Sequence, residues 1–116
     1  MVAQRYHTSQ RKLINNIQIL KEIKNVVLEV DSEAKAILFG SRARGDFNDE
    51  SDWDVLILVD KEETDFIFKR KIRNSLYNLE LKQGTVISTI IKNRKFWQDI
   101  SVTPLFKEVE KDGLVL

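Results

Sequence analysis

Phe39-Gly40-Ser41-Arg42-Ala43-Arg44-Gly45-Asp46-Phe47-Asn48-Asp49-Glu50-Ser51-Asp52-Trp53-Asp54 leads directly into the apolar run Val55-Leu56-Ile57-Leu58-Val59. Gly40 permits a sharp turn, because a residue without Cβ tolerates positive φ and the close approach of a ligand. Ser41 reads as an N-cap with Arg42-Ala43-Arg44 as the helical turn behind it. Unpaired N–H groups at a helix start carry partial positive charge, so Gly40-Ser41 can cradle a phosphate and the Ser41 hydroxyl can add a hydrogen bond. A P-loop is excluded, since its Gly-x-x-x-x-Gly-Lys-Ser/Thr pattern is missing. Asp52 and Asp54 lie two apart on an extended chain, so both project from one face with α-carbons roughly 6.6 Å apart, while Trp53 points the other way into packing. Two carboxylates on one face can hold hard cations, and Mg²⁺ completes its shell with water and substrate phosphates. Arg42 and Arg44 flank the turn and are candidates for phosphate contact, one reaching the ligand and the other pairing with the acidic loop.

Working outward, Lys35 to Phe39 is too short for a helix and reads as a strand that ends at Gly40. Asp54 to Val59 is a second strand, continuously apolar and therefore central, with both faces covered. Upstream, apolar side chains at 13, 17, 20, 23 and 27 mark a helical stripe over Gln10 to Val30. Downstream, Glu62 to Glu80 is helical, with Phe68, Ile72, Leu76 and Leu79 on one face. The β-branched run Thr85 to Ile91 is the third strand. Phe96, Trp97 and Ile100 suggest a short helical turn, and Thr103-Pro104 opens a last helix to about Lys111, stopped by Asp112-Gly113. The apolar tail Leu114-Val115-Leu116 either docks on its own sheet or joins a subunit interface. The fold class is α/β (α+β): a small mixed sheet flanked by helices.

The 116 residues are expected to form one domain over 1–116, with no room for a separate acceptor-binding domain. Hydrophobic residues make up 42% and charged residues 32%, which suits a globular rather than a disordered chain. A net charge of +1 leaves no global field to attract nucleic acid or membrane, so charge effects must be local. Cysteine is absent, which excludes disulfides, thiolate metal sites and a Cys nucleophile, and suits the cytoplasm. No apolar run approaches the length of a membrane span.

Either half of the 40–54 segment is ordinary by itself: Gly-Ser after a strand is usually a turn, and a run of acids is usually a solvated loop. Asp52 and Asp54 beside a buried strand are costly without a compensating cation, so the joint occurrence is specific. Gly40-Ser41 with Arg42, Arg44 and Gly45, followed by Ser51-Asp52-Trp53-Asp54 entering an apolar strand, resembles the DNA polymerase beta-like nucleotidyltransferase superfamily. More narrowly it is similar to the small minimal nucleotidyltransferase domains of prokaryotes. The resemblance implies a nucleotidyltransferase-like core and an enzyme that moves a nucleoside monophosphate from an NTP, ATP by expectation, to a hydroxyl of a protein, RNA or small molecule. It implies Asp52 and Asp54 as catalytic metal ligands for two Mg²⁺ ions, with Mn²⁺ as a substitute, and Gly40-Ser41 as the grip on the β/γ phosphates. A helical partner protein, as in toxin–antitoxin pairs, or a homodimer would supply the acceptor side.

That family pattern places a third acid on the neighbouring strand, where this sequence has Ser88. Val86, Ser88 and Ile90 share a face, and the strand holds no Asp or Glu. Asp60 lies too far along the strand, roughly 20 Å from Asp54. Glu80 is the nearest replacement, although a late helix residue is more simply a solvated one. The alternative function is accordingly a non-catalytic nucleotide-binding or antitoxin-like partner-binding module. Lys69, Arg70, Lys71 and Arg73 read as a solvated helix face, or else as a contact for triphosphate, RNA or an acidic partner. Trp53, Phe96, Trp97 and Phe106 read as core or interface, and His7 is given no role.

Overall fold

The computed structural model describes residues 2–116, with side chains from Asn16 onward. Among them a four-stranded mixed sheet carries helices on both faces. Helix α1 (Val2–Val30) starts earlier than the stripe from Gln10 suggested; His7 and the apolar position 13 lie outside the described side chains. Strand β1 (Lys35–Phe39) matches its expected limits and runs into the single-turn helix α2 (Ser41–Arg44). Strand β2 (Trp53–Val59) follows the acidic loop, then helix α3 (Phe66–Gln83) and strand β3 (Ile87–Asn93). Helices α4 (Arg94–Asp99) and α5 (Pro104–Asp112) lead to the two-residue strand β4 (Leu114–Val115).

The strand order is β3-β2-β1-β4, with β1 antiparallel to β2 and β4 and with β2 parallel to β3. Strand β2 is central, and its consecutive residues Val55, Leu56 and Ile57 are fully buried because they alternate between two covered faces. On one face Trp53, Val55, Ile57 and Val59 pack with Ile23 and Val27 of α1 and with Ile72, Leu76 and Leu79 of α3. On the other, Leu56 and Leu58 meet Ile37, Phe39, Trp97 and Val109 beneath α4 and α5. Each such aliphatic side chain contributes about 1.5–3 kcal/mol on burial, which welds β2 into both layers.

Helix α3 and strand β3 also depart from the sequence reading. Helix α3 starts at Phe66 rather than Glu62, because the Asp65 side chain accepts from the Phe68 N–H at 3.0 Å and sets the N-cap there. Strand β3 is displaced by two residues from Thr85–Ile91, since Thr85 is still bonded to the α3 carbonyl of Glu80 and the parallel ladder begins at Trp53↔Ile87. At its far end Asn93 leaves the strand to cap α4, accepting from Lys95 N and Phe96 N. Thr103 and Pro104 open α5 as read, with Thr103 Oγ1 accepting from Phe106 N at 3.3 Å. The apolar tail docks on its own sheet: Leu114 and Val115 pair with β1, and Leu116 packs against the core. Gly113 makes this possible, because a Cβ there would meet the Val109 carbonyl oxygen at 2.5 Å and Ile37 Cγ2 at 2.9 Å.

Candidate active site

Alternation along β2 sends Trp53 to the α1/α3 face and Asp54 to the α4/α5 face. Trp53 is buried, Asp54 half-buried, and Asp52 exposed just before the strand begins. Gly40 leaves β1 immediately beside Asp54, in the register Phe39↔Asp54. Its φ is 74°, and a Cβ at this position would stand 2.2 Å from Asp54 Oδ2. Glycine is therefore required twice over, for backbone conformation and for the room that the carboxylate takes. The turn and the carboxylate are one compact unit.

Ser41 was expected to be the N-cap, but Gly40 holds that position and Ser41 is the first helical residue. The Gly40 conformation turns the chain one residue earlier, so its carbonyl accepts from Ala43 N and Arg44 N. Ser41 Oγ makes no hydrogen bond among the described residues, which leaves it available to a ligand. Helix-start N–H groups lack intrahelical partners and point outward at the same place.

Arg42 and Arg44 take different directions. The Arg42 guanidinium donates to the Ser51 carbonyl from Nε (3.2 Å) and Nη2 (3.0 Å), and it lies over the rings of Trp53 (4.2 Å) and Phe47 (4.6 Å). Its side chain, expected at the phosphates, is instead committed to the loop that delivers Asp52. Burial lowers its pKa, partly offset by the charge of Asp49. A cleft of about 480 Å³ opens beside it, between Asn16, Ile19, Phe47 and Gln83, on the Trp53 side of the sheet rather than over the carboxylates. Arg44 lies between two acids, with Nε 3.3 Å from Asp46 Oδ2 and Nη1 3.1 Å from Glu108 Oε1. The hydrogen bond to Asp46 is the main reason its pKa is raised.

The Asp54 carboxyl is pushed above its ordinary value, first by burial, then by the charges of Asp52 and Glu108, with Arg44 opposing. Neither Asp52 nor Asp54 forms an ion pair with a described cation. Among the described residues no three acids or histidines stand close enough to enclose an ion by themselves. Hard oxygen donors on two carboxylates without an ion-pair partner among the described residues, beside a glycine turn that starts a helix, nevertheless fit Mg²⁺, which takes few protein ligands and shares the rest of its shell with phosphate and water.

Ser88 pairs with Asp54 in the parallel register, which puts a hydroxyl where the third acid was sought. Glu80 does not replace it: Glu80 Oε1 accepts from Ile87 N at 2.7 Å, tying the end of α3 to the start of β3. Asp60 sits at the far end of β2, paired with Arg94 at 3.1 Å. Lys69 pairs with Glu63 at 2.9 Å, and Arg73 donates to the Thr89 carbonyl, so two of the four α3 cations brace the scaffold. Trp97 stacks against Phe106 with centroids 5.0 Å apart and belongs to the core. Sequence reading missed Glu108, which lies 54 residues beyond Asp54 and is brought to the site only because α5 folds back over β1.

Residues 20–115 match the family model described as the nucleotidyltransferase domain. The chain belongs to this nucleotidyltransferase family. Two proteins of Methanocaldococcus jannaschii, each named putative protein adenylyltransferase, are similar to it. One is 40% identical over 100 residues, covering 84% of this chain and 95% of the relative. The other is 37% identical over 82 residues, covering 71% of this chain and 76% of the relative. The match extends from α1 into β4 and so includes the turn, both carboxylates and α5. No described helix of this nucleotidyltransferase domain is long and apolar enough to cross a membrane.

Proposed function

We propose that this domain transfers AMP from ATP to a hydroxyl on a protein acceptor, in a Mg²⁺-dependent reaction centred on Asp52 and Asp54. The observation that carries the reading is the contact between the Gly40 turn and the Asp54 carboxylate. A phosphate held by that turn would lie beside Asp54. Bound there, two Mg²⁺ ions (or Mn²⁺) would neutralise phosphate charge and acidify the attacking hydroxyl.

The chain's own groups divide the remaining work. The Gly40-Ser41 turn and the Ser41 hydroxyl bind the β/γ phosphates, aided by the main-chain N–H of Arg42 at the start of α2. The Arg42 side chain fixes the loop that presents Asp52, and Arg44, paired with Asp46 and Glu108, is the cation nearest the turn on its Asp54 side. The acceptor oxygen attacks the α-phosphorus in line, and pyrophosphate departs along the turn. ATP and a protein acceptor are favoured because both relatives are named as protein adenylyltransferases. A helical partner, as in a toxin–antitoxin pair, or a second copy of the chain would present the hydroxyl.

Ser88 beside Asp54 favours one other reading, a nucleotide- or partner-binding module without chemistry. Label from α-³²P-ATP, with Mg²⁺ and candidate acceptors, separates the two. The enzyme reading expects labelled acceptor and a loss of about 10²–10⁴-fold in Asp52→Asn. Ser41→Ala should raise the KM for ATP roughly tenfold or more, as expected for a lost hydrogen bond to a charged group. If no label moves with the cognate partner present, while complex formation survives Asp52→Asn, the binding-module reading stands.

A further inference from the structure

The strand beside the carboxylates brings Ser88 where a third acid is needed, so a carboxylate must come from elsewhere or be missing. Two acidic groups act on Asp54: Asp52 on the same segment, and Glu108 on α5. The backbone carrying Glu108 is firmly placed. Its neighbour Val109 is buried among Ile37, Phe39 and Leu56, and Thr103 caps the helix. The Glu108 side chain is 40% exposed, and its carboxylate faces the Arg44 guanidinium at 3.1 Å. Arg44 in turn reaches Asp46, so one guanidinium joins the loop after α2 to α5.

We propose that Glu108 is the general base of the transfer reaction, delivered by α5 in place of the acid absent at position 88, and that Arg44 covers it until a triphosphate draws the guanidinium away. This rests on the transfer reaction proposed above. Arg44 is held by two partly exposed carboxylates, and such pairs are individually weak. A triphosphate on the adjacent turn offers several charged oxygens and bidentate geometry, and it outcompetes them. Glu108, released, has no other described cation partner and can accept a hydrogen bond from the acceptor hydroxyl.

As the reaction proceeds, the acceptor O–H bond breaks and its proton passes to a Glu108 carboxylate oxygen. The electron pair left on the acceptor oxygen forms the bond to the α-phosphorus. The bond from the α-phosphorus to the bridging oxygen breaks, pyrophosphate takes that pair, and Glu108 returns its proton to water. In this division of labour Asp52 and Asp54 would hold the metal, and Glu108 acts on the proton. Nucleotide would therefore have to bind before an acceptor can be activated.

The test uses the full chain and the variants Glu108→Gln, Ser88→Asp and their combination, with thermal melts as folding controls. Binding of a fluorescent ATP analogue in EDTA comes first. Glu108→Gln removes one of the acids competing for Arg44 and should tighten binding, by up to about fivefold. Pyrophosphate release is then followed with Mg²⁺-ATP and the acceptor proteins used for the label transfer. Glu108→Gln should lower kcat about 10²–10⁴-fold without raising the KM for ATP. Ser88→Asp in that background should recover at least tenfold, because it restores an acid beside Asp54. Wild-type kcat in Glu108→Gln, or an unrecovered double variant, overturns the base assignment. Weaker analogue binding in Glu108→Gln overturns the covering role and makes Glu108 merely a support for Arg44. Absence of pyrophosphate from the wild type counts against the transfer reading instead, and the binding titration still decides whether Arg44 covers Glu108.

Discussion

At the scale of single residues, Gly40 and Asp54 are coupled by contact. Gly40→Ala forces a positive φ on a residue with a Cβ and drives that carbon against Oδ2 of Asp54. The expected cost is about 1–3 kcal/mol, together with loss of ATP binding, measured by denaturant titration and by the fluorescent analogue. The raised pKa of Asp54 gives a second prediction. A carboxyl whose folded value lies above its unfolded value favours the fold when protonated, and that benefit is lost as pH rises through the folded value. Ionised Asp54 therefore costs stability at neutral pH. Asp54→Asn should melt higher than wild type at pH 7 without metal, and the difference should shrink as pH falls towards the ordinary value of 3.8. An unchanged difference between pH 7 and pH 3 would show that burial of charge is not its source. A half-buried carboxyl kept costly in this way is what a metal-holding position would require.

At the scale of elements, the site is assembled by three junctions: the β1–α2 turn, the loop entering β2, and α5 docked across β1. The side chain of Arg42 holds the loop by bonds to the Ser51 carbonyl, and Asn48 and Ser51 bond within it, so Asp52 is presented by an ordered segment despite its exposure. Glu80 plays a comparable part at the α3–β3 junction. Glu80→Ala leaves the Ile87 N–H without its partner and should destabilise by about 1–3 kcal/mol. Because that junction is scaffold, affinity for the ATP analogue should be unchanged in the variant; a fall in affinity at full foldedness would give Glu80 a part in the site. The boundary shifts at α3 and β3 arise at this scale too. Asp65 and Asn93 are side-chain caps, and capping residues stop or start an element where apolar periodicity alone would let it run on.

At the scale of the molecule, the short tail closes the fold. Leu114 and Val115 pair with β1, and the Leu116 N–H donates to the Ala36 carbonyl at 2.9 Å. Deleting residues 114–116 should bare the edge of β1, lower the melting temperature, and produce concentration-dependent association visible by light scattering. A deletion variant that stays monodisperse would show that the edge is protected otherwise. The central strand, the helices and the Gly40-Ser41/Asp52-Asp54 pair were legible in the chain because each is a local pattern: alternation, helical spacing, a glycine turn, acids two apart. Even the position of Ser88 opposite Asp54 followed from aligning the apolar run of β3 with that of β2, since the buried Ile87 and Ile91 pin the register. What local pattern could not supply was direction and long-range company. Arg42 and Arg44 are equivalent in sequence, yet one stacks on Trp53 and the other bridges Asp46 and Glu108, because α2 is a single turn that points them to different sides. Glu108 joins the site only through the packing of Val109 and the space left at Gly113, which depend on contacts between residues far apart in the chain. The sequence by itself determined the turn, the carboxylate pair and the strand that carries it; only the tertiary structure decided which charges surround them.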